Sequence, residues 1–162
     1  MTEVETRIEN GWALYGHPFF ISRLEELVDE IEGLVASDPD GFHTHPHYRL
    51  HECVQRQMTE IVPANPGAKI FDQGNTLGAK NRHWRRVKKG LPQRYRLFFQ
   101  YRSAAPQSII YAWLNDERTL RKDGARTDVY AVFQQMLGSG KMPSSFAELL
   151  AAANPMANQN PA

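Results

Sequence analysis

The stretch RYRLFFQYR, residues 94–102, alternates in the manner of a strand. Tyr95, Leu97, Phe99 and Tyr101 fall on one side; Arg94, Arg96, Phe98, Gln100 and Arg102 fall on the other. Successive strand side chains point to opposite faces of a sheet, so the first set predicts the core face and the basic set an exposed one. Upstream, GLPQ at 90–93 has the length of a hairpin turn, and HWRRVKK at 83–89 reads as a partner strand. Val87 is its natural inward residue. That parity turns Trp84, Arg86 and Lys88 outward, with the two cations about 7 Å apart. Downstream, SAAPQ at 103–107 leads to a third strand, SIIYAWL, at 108–114. Paired as a hairpin, the first two strands bring Arg86, Lys88, Arg94 and Arg96 onto one face, with Phe98 beside them to stack a base.

The flanking sequence supplies the covering elements. Trp12 to Tyr15 reads as a short strand, and Pro18 marks the turn into a helix. There Leu24, Leu27, Val28, Ile31 and Leu34 recur at helical spacing with acids opposite. DPDG at 38–41 breaks the chain. A second helix follows Pro46, with Leu50, Cys53, Val54 and Ile61 on one stripe, and residues 63–82 look irregular. TDVYAVFQQML returns to helical period through Val129, Phe133, Met136 and Leu137, with Thr127 as N-cap and Gly138 just past the end. The expectation is a single α+β domain over 1–152, with a disordered tail over 153–162. An N-terminal strand and two helices pack on an antiparallel sheet, followed by a C-terminal helix.

The formal net charge of the 162 residues is only +1, but it is unevenly laid out. Residues 1–79 carry 13 acids against 5 Lys/Arg, whereas residues 80–162 carry 5 acids against 14 Lys/Arg. Nine of those cations lie between Lys80 and Arg102 without an intervening acid, which makes local neutralisation difficult. Clustered cations attract a polyanion by releasing its counterions. No apolar run approaches the roughly 18–20 residues of a membrane span, so no membrane partner is expected. The single cysteine excludes an internal disulfide, and the opening MTEVETRIEN is too polar for a secretory signal. A cytoplasmic protein is the expectation.

His43, His45, His47, His51 and Cys53 crowd into GFHTHPHYRLHEC. Only His47 and His51 have the i,i+4 spacing of a helical metal pair, and Tyr48, Arg49 and Leu50 between them supply no glutamate of the HExxH kind. The cluster reads as solvated histidines around a helix start, and no metal or other cofactor is expected. Cys53 reads as a small core residue. No phosphate-cradling glycine loop, nucleophile elbow or CxxC pair is present.

The blocks NGWALYGHP, LGAKNRHWRRVKKG, RYRLFFQY, WLNDERTLR and TDVYAVFQQML, in that order, resemble the YhaV toxins of bacterial type II toxin–antitoxin modules. These toxins belong to the RelE superfamily of messenger-RNA interferases. The resemblance spans about residues 10–150. It implies a RelE-like fold, ribosome-associated cleavage of messenger RNA, and neutralisation by a cognate PrlF-type antitoxin with an AbrB-like domain. Operator DNA would be bound only jointly with that antitoxin.

By the same resemblance, Arg86 and Lys88 in RRVK, Arg96 in RYRL, Arg121 in TLR and Tyr130 in TDVY occupy catalytic positions. Arg96 and Arg121 would hold the phosphate, Lys88 would serve as base, and Tyr130 would donate a proton or stack on a base. Arg85, Lys89, Arg94 and Arg102, with Phe98, would hold or steer RNA. A module that blocks translation by binding RNA without cutting it would need the same basic face.

Overall fold

The computed structural model describes residues 5–157. β1 (Ile8–Glu9) and β2 (Trp12–Gly16) form a tight antiparallel hairpin through Asn10 and Gly11. Both turn residues have positive φ, the backbone a two-residue hairpin of matching twist requires. β3 (Arg85–Val87), β4 (Leu97–Arg102) and β5 (Ser108–Leu114) form the expected antiparallel meander. β2 joins it beside β5 in parallel, with Leu14 opposite Ile109, and the order is β1-β2-β5-β4-β3. The sheet is therefore mixed. The α+β class stands, and the parallel pair follows from α1 (Pro18–Ser37) and α2 (Pro46–Arg56) intervening between β2 and the meander.

Both faces of this sheet are covered. On one, Leu14, Val87, Leu97, Phe99, Ile109, Tyr111 and Leu114 pack against Phe20 and Leu27 of α1 and Leu50 and Val54 of α2. On the other, Trp84, Phe98, Ile110 and Ala112 meet Val129, Tyr130 and Phe133 of α4 (Val129–Gly138), with Leu149 of α5 (Phe146–Ala152). The alternation of β4 holds, but neither side of it is bare. A register shift opposite Phe98 and Phe99 sets Ala112 and Trp113 on the α4 side together.

Other boundaries differ from expectation for local reasons. Arg94 has φ +74 and lies in a turn, so β4 begins only at Leu97. α2 continues through a π-helical turn, Gln57–Ile61, into the short α3 (Val62–Ala64). The wider turn shifts the helical phase: Met58 and Val62 are buried while Ile61 turns outward. The N-cap of α4 is Asp128, not Thr127, and Gly138 is its last residue.

His17 caps α1 by accepting from the Phe19 amide. Residues 154–155, expected in a disordered tail, form β6 (Asn154–Pro155) on β2, anchored by Met156 N donating to the Leu14 carbonyl at 2.9 Å. The remainder of that expected tail, 158–162, lies outside the described residues. Among the described residues no helix is long and apolar enough to cross a membrane.

Candidate active site

Arg86 follows the parity of β3 and points to the α4 side, opposite Phe98 in register. Its Nε donates to the Tyr130 hydroxyl at 2.9 Å and its Nη1 to the Ile70 carbonyl at 3.2 Å. Arg96, just ahead of β4, sends its Nε to the same hydroxyl at 3.1 Å and its Nη1 to the Tyr95 carbonyl at 2.9 Å. Arg121 arrives from the loop after β5, its guanidinium 4.9 Å from the centre of the Tyr130 ring. Three predicted arginines thus surround the predicted tyrosine.

The backbone that carries them is tied down by Asn115, which is wholly buried. Its Oδ1 accepts from Arg96 N at 2.8 Å, and its Nδ2 donates to the carbonyls of Arg94 and Thr119. Arg121 N donates to the Arg94 carbonyl, closing the loop onto the start of β4. Tyr130 sits in the first turn of α4, its ring edge-on to Phe98 at 5.7 Å. Only 5% of Tyr130 and 7% of Arg96 is exposed, so both groups are largely removed from water.

The charges are not balanced locally. Arg121 has a carboxylate partner, Asp128, at 2.8 Å. That hydrogen bond holds the guanidinium above its ordinary pKa. Burial pushes the Asp128 carboxyl up, but the hydrogen bonds from Arg121 and from the amides of Lys122 and Tyr130 outweigh it and hold it low. Among the described residues, no carboxylate pairs with Arg86 or Arg96, and the partners of Arg96 are neutral oxygens. A buried cation without a counter-ion is costly, and an incoming anion relieves that cost.

Lys88, Lys89, Gln93, Arg94, Arg96 and Arg121 line an open basin of about 500 Å³ with no acid in its wall. Lys88, Lys89 and Arg94 are exposed at its rim. The rim turn depends on Gly90, whose φ is +92 and where a Cβ would collide with the Gln57 side chain.

Arg85, Phe98 and Arg102 do not join this basin. Arg85 points to the other face, where it pairs with Asp72 at 3.1 Å, donates to the Ala68 carbonyl and lies over Tyr101. Phe98 is fully buried, stacked on Phe133 at 4.2 Å, so it offers no face to a base. Arg102, at the far end of β4, lies 4.9 Å over the Phe146 ring. The sequence offers the acids of 115–128 as partners for Arg118, Arg121 or Arg126 without singling out Asp128, which pairs with Arg121. The Asp before VYAVF is a cap signal one residue past the expected Thr127; Asn115 carries no signal.

Of the histidine cluster, His47 lies between two acids. His47 faces Glu30 through Nδ1 at 3.1 Å and Glu117 through Nε2 at 2.7 Å. These three side chains could in principle hold an ion. Through these two contacts one imidazole joins α1, α2 and the loop after β5. A backbone hydrogen bond, aided by His47, holds the Glu117 carboxyl below its usual value. His83, beside the basic strand, bonds the Ser144 carbonyl.

Residues 14–154 match the family model described as a toxin with endonuclease activity, of a toxin–antitoxin system. The chain belongs to the YhaV toxin family. Two curated relatives, the ribonuclease toxin YhaV of Escherichia coli K12 and the toxin YhaV of E. coli O6:H1, are each 43% identical over 141 residues. That alignment covers 86% of this chain and 90% of each relative. No solved structure matches the chain significantly. All five predicted catalytic positions of this YhaV-family chain, Arg86, Lys88, Arg96, Arg121 and Tyr130, fall inside the matched span, as does the whole basin. Membership in a toxin–antitoxin system gives the chain an antitoxin partner.

Proposed function

We propose that this chain is an endoribonuclease that cuts messenger RNA at the Arg86–Arg96–Arg121–Tyr130 cluster by attack of the RNA's own 2′-hydroxyl. The observation that carries this reading is the buried, carboxylate-free guanidinium of Arg96 on the hydroxyl of Tyr130. The family description, toxin with endonuclease activity, and the name of the K12 relative, ribonuclease toxin, support it.

In this mechanism the scissile phosphate takes the place of the missing counter-ion. Arg96 and Arg121 donate to its non-bridging oxygens and stabilise the charge that grows as the 2′-oxygen adds to phosphorus. Lys88 at the rim, in its neutral amine form, takes the 2′-hydroxyl proton and becomes an ammonium. The phenol oxygen of Tyr130 already accepts from Arg86 and Arg96, which uses both lone pairs and leaves its proton free to donate. That proton passes to the 5′-oxygen as the P–O5′ bond breaks. The products are a 2′,3′-cyclic phosphate and a 5′-hydroxyl. The phenolate left behind is held by two guanidiniums. Lys89 and Arg94 guide the flanking backbone.

The partners that complete the reading are messenger RNA on the ribosome, which would align the substrate, and a PrlF-type antitoxin with an AbrB-like domain, jointly with which operator DNA is bound. A cytoplasmic site of action follows from that substrate. Induction without antitoxin, followed by sequencing of RNA 5′ ends, tests it: discrete new 5′-hydroxyl ends are expected, absent with Tyr130→Phe. Growth arrest without new ends would instead identify an RNA-binding translation inhibitor. Cleavage is expected to persist in EDTA, and strict metal dependence would count against this chemistry.

A further inference from the structure

We propose that Asp128 is a positioning residue that presents Arg121 to the scissile phosphate, so that one buried carboxylate both starts α4 and aims a substrate-binding guanidinium. This inference rests on the nuclease reading above. Asp128 is 4% exposed, and its oxygens divide between two tasks. Oδ2 accepts from Tyr130 N at 3.1 Å, the bond of a helix N-cap. Oδ1 accepts from Arg121 Nη1 at 2.8 Å and from Lys122 N at 2.6 Å. A cap needs only the first of these.

The second task has a geometric consequence. The chain from Asp116 to Thr127 holds no helix or strand, and Arg121 is the residue that must reach back from it to the cluster. Fixing both the Lys122 amide and the Arg121 Nη1 on one oxygen pins that reach at two adjacent points. Nη1 is thereby engaged, while the guanidinium lies over the Tyr130 ring. Its remaining donors stay available at the wall it shares with Lys88, Lys89, Arg94 and Arg96. Asp123 stands 3.7 Å from Nη2 with its side chain 95% exposed, too loose to supply this constraint.

The two tasks can be separated by substitution. Serine caps a helix about as well as aspartate but cannot reach Arg121, so Asp128→Ser keeps the cap and drops the clamp. In purified protein cleaving a defined RNA, Asp128→Ser is expected to lower kcat about 30–100-fold with KM changed less than about threefold. Its melting temperature is expected to stay within a few degrees of the parent. The same change made on Arg121→Ala is expected to cost less than about twofold, because the residue it acts through is already gone. Equal losses in both backgrounds, or an unchanged kcat in a folded Asp128→Ser protein, would overturn the proposal.

A second measurement does not depend on catalysis. The Arg121 side-chain N–H resonances are expected to exchange slowly with water in the parent and at least tenfold faster in Asp128→Ser, with those of Arg86 unchanged. Unchanged exchange at Arg121 refutes the clamp whether or not the parent cuts RNA. A parent that cuts no RNA refutes the nuclease reading alone.

Discussion

Arg85 and Arg86 are neighbours on β3, yet the sheet sends them to opposite outcomes. On the face covered by α1 and α2, Arg85 ends in an ion pair with Asp72 and a bond to the Ala68 carbonyl. On the face covered by α4, Arg86 ends on the hydroxyl of Tyr130 with no carboxylate partner. The first face neutralises its cation within the fold. The second leaves Arg86 and Arg96 without a carboxylate, with Arg96 in the wall of the open basin, as the proposed phosphate site requires. Charge density in the sequence is the same for both arginines; what separates them is which layer lies above.

The sharpest way to break this comparison is to remove the uncompensated charge. Arg96→Met, which roughly conserves volume, is expected to reduce kcat about 10²–10³-fold. Tyr130→Phe is expected to reduce it about 10²-fold, with both variants folded by circular dichroism. Retained toxicity at equal expression in both would remove the site from this face. Next in size is the reciprocal test. Arg85→Met is expected to cost about 1–3 kcal/mol in denaturant unfolding while leaving kcat within about twofold. Arg86→Met is expected to do the reverse, costing under about 1 kcal/mol and lowering kcat about tenfold or more.

Smaller effects sharpen the boundary of the basin. Lys88→Ala and Lys89→Ala are each expected to weaken single-stranded RNA binding a few-fold and to reduce the salt slope of log K by about 0.7. Arg56→Ala, on exposed α2, is expected to leave that slope unchanged. The smallest effect belongs to the other face. Burial lowers the pKa of His17, whose Nδ1 must stay unprotonated to cap α1. The unfolded chain therefore binds that proton more readily. Stability should fall as pH drops below the ordinary value of 6.5 until the lowered folded value is passed. His17→Asn, which caps without titrating, should flatten that slope, as read by melting temperature between pH 7 and 5.

Much of this architecture was legible because it is local. The parity of RYRLFFQYR sorted Leu97 and Phe99 from Arg96 and Phe98 correctly, and the strand 108–114 has the predicted bounds. Alternation alone cannot say whether a second layer covers the polar side of a strand. That is why Phe98 and Trp84 were read as exposed, although α4 buries both. The parallel pairing of β2 with β5 joins residues nearly a hundred positions apart and leaves no trace in either segment. Within the candidate site, Arg86, Arg96, Arg121 and Tyr130, named through family resemblance, lie together. Asn115 was not legible, because its bonds to Arg94 and Arg96 span about twenty residues, and Asp128 was not, because nothing in the mixed charges of 115–128 says which acid meets Arg121.

The make-up of the basin wall, with Arg96 bonded to the doubly occupied Tyr130 oxygen, carries a consequence for any small molecule aimed at it. Arginine and lysine side chains have no acceptor to offer, and the phenol has spent both of its own. The five cations of the wall therefore speak in one direction, giving hydrogen bonds and taking none. Compounds crowded with amino or hydroxyl donors would find only the Gln93 amide oxygen to answer them among the side chains of that wall. Planar sulfonates, carboxylates and other acceptor-rich scaffolds suit it, which makes acceptor geometry, rather than size or net charge, the first filter for an inhibitor of this toxin.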